Sequence, residues 1–213
     1  MSVRKGEVII IGIALLSFVI GVYYYPQVPE QMASHWNAKG QVDGYLSKFW
    51  GLFLIPITLV GLALLFMAIP RIDPLRENIE KFRKHYDGFV ILFMLFMVFI
   101  YLQTILWSIG IKISPNAYVP IAGGLLFVGS GILIENTRRN WFIGIRTPWT
   151  LSSDKVWDKT HRMGGKLFKI AGVIAIVGVF FQSYAVFFVL VPALVVAVYT
   201  VAYSYFEYKK EVK

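Results

Sequence analysis

Six apolar runs dominate this chain: Val8–Tyr25, Phe49–Ile69, Phe89–Ile109, Ala117–Ile134, Leu167–Phe181 and Ala185–Phe206, the fifth broken only by Lys169. A helix of about 20 apolar residues crosses the hydrocarbon core of a bilayer, and a backbone immersed there must satisfy its own hydrogen bonds. The pattern predicts an all-α integral membrane protein, a bundle of six transmembrane helices. Extending the fifth run back through Gly164 gives it a usable length, with Lys169 snorkelling to the interface. Leaving that run out gives a five-span alternative.

The residue balance agrees, because 57% hydrophobic and 15% charged residues with a mean hydropathy of +0.64 fall outside the soluble range. Arg4 and Lys5 precede the first run as in a signal peptide. No small-residue cleavage site stands before "YYYPQVPE", so a retained span is expected. Cysteine is absent, which excludes disulfides, thiol nucleophiles and thiolate metal sites. The net charge of +9 sits beside the apolar runs, where membrane topology and anionic lipid account for it, and direct nucleic-acid binding is not expected.

Orientation follows from the bias of Lys and Arg between short loops. The two termini and the segments around Arg71–Lys84 and Arg138–Lys166 hold 17 of them, whereas the opposite side holds only Lys39, Lys48 and Lys112. Both termini are therefore expected in the cytoplasm. Tyr23, Tyr24, Tyr25, Trp50 and Trp107 gather at the outer ends of the spans, and Tyr203, Tyr205 and Tyr208 at the inner end of the last.

Two polar loops interrupt the apolar pattern. The outer one contains "HWNAKGQVDGYLSK", in which Ala38-Lys39-Gly40 and Asp43-Gly44 are turn signals that fold the loop back on itself. His35, Trp36, Asn37 and Asp43 offer an aromatic face and hydrogen-bonding groups, suited either to a ligand or to packing on the helix ends. No third metal ligand stands at a recognisable spacing from His35 and Asp43, so no metal site is expected. The inner loop contains "ENTRRNWFIGIRTPWTLSSDKVWDKTHRMGGK". Thr147 precedes Pro148 and should be extended, making Ile145–Thr150 a non-helical strip at the membrane surface beside Trp141, Phe142 and Trp149. A helix should start near Ser152 or Ser153, capped by a hydroxyl and complemented by Asp154. On it Trp157 and His161 share a face, and Asp158 and Arg162 are spaced for an i, i+4 salt bridge. His161 reads as a packed or capped histidine before it reads as a base.

The span interiors carry no Asp, Glu, Arg or His, which disfavours proton relays and coupled transport. Gly123, Gly124, Gly129 and Gly131 in the fourth span, with Ala171 and Ala175 in the fifth, allow close helix approach, though not as a strict GxxxG. Pro56 and Pro192 are expected to kink the second and sixth spans. No catalytic motif or carboxylate pair is present, and the pairs His85 with Asp87 and His161 with Asp158 both fall in basic surface loops. Neither an enzyme nor a cofactor is expected.

Taken together, the loops point to a family. "VPEQMASHWNAKGQVDGYLSK" resembles the outer loop of an N-terminal domain found in many bacterial and archaeal membrane proteins, through His35, Trp36, Asn37, Gly40, Asp43, Gly44, Tyr45 and Lys48. "NWFIGIRTPWTLSSDKVWDKTHRMGGK" resembles the C-terminal hallmark of the SdpI family, through Asn140, Gly144, Arg146, Thr147, Pro148, Trp149, Thr150, Trp157, Thr160 and His161. The resemblance implies a single membrane domain over residues 1–213. Within it lie an N-terminal two-helix module at 8–69 with outer loop 26–48, and a C-terminal module at 117–213 with cytoplasmic loop 135–166. It also implies a multi-pass protein of the cell membrane that protects against a secreted peptide toxin and signals by holding a cytoplasmic transcriptional repressor. The outer residues would then contact the ligand and the inner ones the partner. A transporter or channel for a small or lipidic molecule, and a purely structural membrane protein, are the alternatives, and the oligomeric state is left open.

Overall fold

A computed structural model describes residues 4–212. Helix α1 (Lys5–Tyr24) leads into strands β1 (Gln31–Trp36) and β2 (Val42–Ser47), followed by α2 (Lys48–Ile72), α3 (Arg76–Lys81) and α4 (Arg83–Ser108). The second half comprises α5 (Pro115–Asn136), the short α6 (Pro148–Ser152), α7 (Asp154–Val177), a 3-10 segment (Gly178–Tyr184) and α8 (Ala185–Val212). The chain is an all-α membrane protein in its bulk, and its described residues hold five helical stretches long and apolar enough to cross a bilayer. The fifth stretch, Asp154–Val212, contains α7, the 3-10 segment and α8. Its continuity is broken at Phe181, where φ is −121° and ψ is 56°. There the chain doubles back, so that Ser153 at the start of α7 hydrogen-bonds Glu211 at the end of α8 at 2.7 Å.

Helices α1, α2 and α4 pack as one group and α5, α7 and α8 as another, with α4 against α5 as the main junction. The first group is held by interdigitated side chains, among them Ile10, Ala14, Leu59, Ala63, Val90 and Met94. The second is held by backbone approach. A Cβ on Gly172 would lie 2.5 Å from the carbonyl of Gly124, and one on Gly131 would lie 2.5 Å from that of Gly165. Two glycines per helix, seven residues apart, thus form the contact, where the sequence pattern had pointed to glycines on α5 but to Ala171 and Ala175 on α7. Pro56 and Pro192 lie inside α2 and α8, as do Pro70 and Pro120 in α2 and α5.

The outer loop is an antiparallel hairpin rather than irregular structure. Its turn is made by Asn37 and Gly40. The Asn37 Oδ1 accepts from the amides of Lys39 at 2.9 Å and Gln41 at 3.1 Å, and Gly40 takes φ +75°, where a side chain is strained. Asp43-Gly44 is not a turn, contrary to its composition. It lies in β2, where Gly44 pairs with His35 at an irregularity in register and a Cβ would come within 2.9 Å of the His35 Cβ. Met32 anchors the hairpin, fully buried against Gly51 at the start of α2, a burial contributing roughly 1.5–3 kcal/mol.

Helix α4 begins at Arg83, so His85 and Asp87 are helical rather than in a loop. Asp87 binds Arg83 Nε at 2.7 Å. Glu7, which is 2% exposed, accepts from Arg71 at 2.8 Å and Arg83 at 3.1 Å. This ion-paired knot ties α1, α2 and α4 together just outside their apolar runs.

Candidate functional site

Two regions hold the residues singled out by the sequence, one at each end of the helices. At the hairpin, His35 Nδ1 and Asp43 Oδ1 lie 2.5 Å apart across the strands, both exposed. Trp36 is half-buried, edge-on to Trp107 at 5.5 Å between ring centres. Its indole Nε1 is buried and has no partner among the described residues. On one side of Trp36 a cleft of about 390 Å³ opens between the hairpin, α5 and α8, lined by Pro115, Val119, Ala185 and Val189 among others. On the other side a second cleft, about 320 Å³, is walled by α2, α4 and α5. Trp36 is thus the partition between two apolar hollows. Tyr45 stands 61% exposed. Lys48 Nζ reaches Glu30 at 3.3 Å and sits 4.9 Å from the Tyr25 ring centre.

The remaining hairpin residues shape this arrangement. Asn37 and Gly40 make the turn, and a Cβ on Gly40 would lie 2.6 Å from Ser114 Oγ, so the tip presses on the start of α5. Asn116, which the motifs did not flag, donates from Nδ2 to Ala38 O at 3.1 Å and Gln182 O at 2.9 Å. It joins the hairpin tip to the break between α7 and α8. A lone Asn after a Ser-Pro helix start carries no sequence signal for such a long-range tie.

At the opposite end, the inner loop folds around fully buried Asn140. Its Nδ2 donates to the carbonyls of Arg138 at 2.8 Å and Ile143 at 2.9 Å, and its Oδ1 accepts from the amides of Phe142 at 2.9 Å and Ile143 at 2.6 Å. One side chain therefore satisfies four backbone groups of a loop that lacks secondary structure. Thr147 is extended as expected, with φ −115° and ψ 162°. Pro148, however, opens α6 rather than continuing a non-helical strip, since a proline's fixed φ and missing N–H suit a helix's first turn. Thr147 and Thr150 cap this turn reciprocally: the Thr150 amide donates to Thr147 Oγ1 at 3.1 Å, and the Thr147 amide to Thr150 Oγ1 at 2.9 Å. The Thr147 hydroxyl also lies 3.1 Å from Ser204 Oγ on α8, and Trp149 packs on Tyr205 at 5.1 Å.

Ser153 caps α7, accepting from the Val156 amide at 3.2 Å. Trp157 and His161 stack at 3.9 Å, both buried inside the bundle rather than in a surface loop. The expected Asp158–Arg162 bridge is replaced by Asp158 with Arg138 at 3.2 Å. The Arg138 guanidinium reaches across from the loop and offers the carboxylate a tertiary contact instead of a local one. His161 Nε2 accepts from the Ile145 amide at 2.9 Å, and Gly144 takes φ +114° where a Cβ would strike that ring nitrogen. Burial pushes the His161 pKa down to about 4. The ring is neutral at physiological pH, and with Nε2 occupied it is no base. Thr160 is also fully buried.

Of the ten inner residues, Asn140, Thr147, Thr150, Trp157, Thr160 and His161 are buried. Arg146 is exposed, its guanidinium donating to the Trp141 carbonyl at 2.6 Å beside exposed Trp141 and Phe142. The buried set builds a hydrogen-bonded platform, and Arg146 is the charged side chain exposed on it.

Residues 136–204, which include this platform, match the SdpI/YfhL protein family. Residues 12–60, which cover the later part of α1, the hairpin and the first half of α2, match a domain of unknown function (DUF1648). Over 207 residues the chain is 26% identical to the immunity protein SdpI of Bacillus subtilis (strain 168), covering 97% of each chain. The resemblance to the SdpI family is shown. The SdpI-like segment contains Asn140, the capped α6 turn and the Trp157–His161 stack, and the N-terminal segment contains the clefted hairpin. No solved structure matches.

Proposed function

We propose that this chain is a six-span immunity and receptor protein of the cell membrane, with both termini cytoplasmic and the hairpin outside. Its hairpin meets an extracellular peptide toxin, and its inner platform meets a cytoplasmic repressor. The observation that carries the reading is the cleft of about 390 Å³ under Trp36, mostly apolar in its walls and bordered by exposed His35, whose ring pairs with Asp43. Apolar walls with a polar rim suit an amphipathic peptide. Six spans are supported by the break at Phe181 and the return of α8 along α7, and the orientation by the excess of Lys and Arg at the platform end. Outside α7, the ionic groups of the long helices gather near their ends, as in Glu7–Arg71, which favours recognition at the faces over conduction through the middle. In this reading residues 8–69 form the toxin-facing module and 117–213 the partner-facing one.

The test fills the cleft without touching the hairpin. Val189→Trp on α8 is expected to abolish growth of a sensitive host challenged with the peptide toxin against which the wild type protects, at unchanged membrane levels. Full protection by this variant refutes the cleft as the site of recognition.

A further inference from the structure

Lys155, Lys159, Arg162 and Lys166 stand at i, i+4, i+7 and i+11 on α7, and all four are exposed. At about 3.6 residues per turn this spacing keeps them on one face. The same face continues into Ile170, Val173 and Val177, exposed by 55%, 58% and 41%. It is therefore cationic for three turns and aliphatic for the next two, and the change falls between Lys166 and Ile170. That is the charge profile of a helix passing from the headgroup layer into hydrocarbon.

On the cationic stretch lies a cleft of about 200 Å³, lined by Asp158, Lys159, Arg162, Met163 and Lys166 of α7 and Tyr203 of α8. Its one carboxylate, Asp158, is engaged by Arg138, and Lys159 is engaged by Glu207 at 2.5 Å. Among the described residues neither Arg162 nor Lys166 is paired with a carboxylate. Below the cleft, α8 adds exposed Tyr199 and Val195, with Tyr199 stacked on Tyr203 at 5.9 Å.

We propose that this cleft binds one anionic phospholipid. Its phosphate would lie between Arg162 and Lys166, and its acyl chains along the aliphatic strip that begins at Ile170. Arg and Lys together supply a directional donor and a point charge for phosphate oxygens, and basic pockets between helix ends are where anionic headgroups bind. A soluble acidic partner would use the cationic turns alone, whereas here cationic cleft and lipid-exposed strip are continuous. The inference rests on α7 crossing the bilayer and is independent of any toxin or repressor.

Native mass spectrometry of the purified chain in detergent, titrated with phosphatidylglycerol or phosphatidylcholine, tests this. One tightly held phosphatidylglycerol per chain is expected, with phosphatidylcholine at least tenfold weaker. R162Q/K166Q is expected to lose phosphatidylglycerol at least tenfold, and K81Q/K84Q, which removes the same charge from α3 and α4, to retain it. Both side-chain pairs are exposed on helices, with Phe82 and Arg83 buried between the second pair, and circular dichroism checks that each variant is folded. Equal loss in the two variants makes the attraction diffuse and overturns the site. Displacement by millimolar inorganic phosphate overturns the lipid in favour of a free-anion site.

Discussion

The amide of Ile145 donates to Nε2 of His161 at 2.9 Å, and the same ring gives its Nδ1 proton to the Trp157 carbonyl at 2.8 Å. The ring can hold both bonds only when neutral, which ties the inner loop's shape to one protonation state. Protonating Nε2 breaks the bond to Ile145 and places a charge beside a stacked indole.

This gives a pH dependence with a definite sign. The folded pKa of about 4 lies below the ordinary 6.5, so the unfolded chain takes up the proton first as pH falls. Stability from His161 is fully present above pH 6.5 and is lost as pH drops through the window down to 4, by at most about 3 kcal/mol. Thermal unfolding in detergent between pH 7.5 and 4.5 should show this slope. His161→Phe should be less stable at pH 7.5 and should flatten the slope. An unchanged slope assigns the acid sensitivity to other groups.

Glycine contacts between α5 and α7 make a second prediction. Gly172→Ala pushes a methyl to 2.5 Å from the Gly124 carbonyl, and backbone cannot move as a side-chain tip can. A loss of about 1–3 kcal/mol is expected, as for overpacked cores. Gly12→Ala meets nothing within 4 Å and should be neutral or slightly stabilising. Similar unfolding temperatures for the two variants would show that the helices separate easily.

The all-α membrane character was legible because uncharged runs of membrane length have one dominant solution. The Ser153 cap, the extended Thr147 and the Trp157–His161 face were legible because each depends on neighbours within four residues. What was hidden depends on distant partners. The Asp158–Arg162 spacing is favourable in an isolated helix, yet Arg138 takes Asp158. Asp43-Gly44 has turn composition, yet pairing with β1 sets its conformation. Glu7 carried no local signal in the sequence, and its burial follows from Arg71 and Arg83 converging on it from elements far along the chain. Within the two motifs, residue type did not separate platform from presented group. Burial does, by placing Asn140 inside and Arg146 outside.

That division predicts opposite behaviours for two motif residues. Asn140→Ala leaves four backbone groups of the loop without their partner, the two of Ile143 in a buried place, so a loss of about 3 kcal/mol and poor accumulation in the membrane are expected. Arg146→Ala removes an exposed side chain with one carbonyl contact and should unfold within about 0.5 kcal/mol of wild type while losing partner-dependent signalling. Retained signalling by stable Arg146→Ala removes Arg146 from the partner face.

Because the native chain has no cysteine, orientation can be read from single introduced thiols. Lys39 at the hairpin tip and Asp154 at the start of α7 are both exposed and at opposite ends. Glu77, exposed on α3, avoids Asn78, whose side chain donates to the Arg139 carbonyl at 2.9 Å. In intact cells an impermeant thiol reagent should modify Lys39→Cys and spare Glu77→Cys and Asp154→Cys. The reverse pattern inverts the topology and moves the hairpin to the cytoplasm.

Trp36 separates recognition at the hairpin from passage through the bundle. As the wall between two clefts it contributes contact area to any peptide seated in either, and hot-spot aromatics of this kind cost about 2 kcal/mol or more on truncation, roughly thirtyfold in affinity. Trp36→Ala should therefore protect a toxin-challenged host poorly. Trp36→Phe keeps the ring but not the unpartnered indole N–H, and should be intermediate if the peptide supplies an acceptor there. Asp43→Asn removes a charge from the exposed rim, so its defect should be larger at low salt than at high. Wild-type protection by all three, with loss instead on replacing Gln103 or Thr104 in α4, would place the decisive contacts among the helices and favour transport.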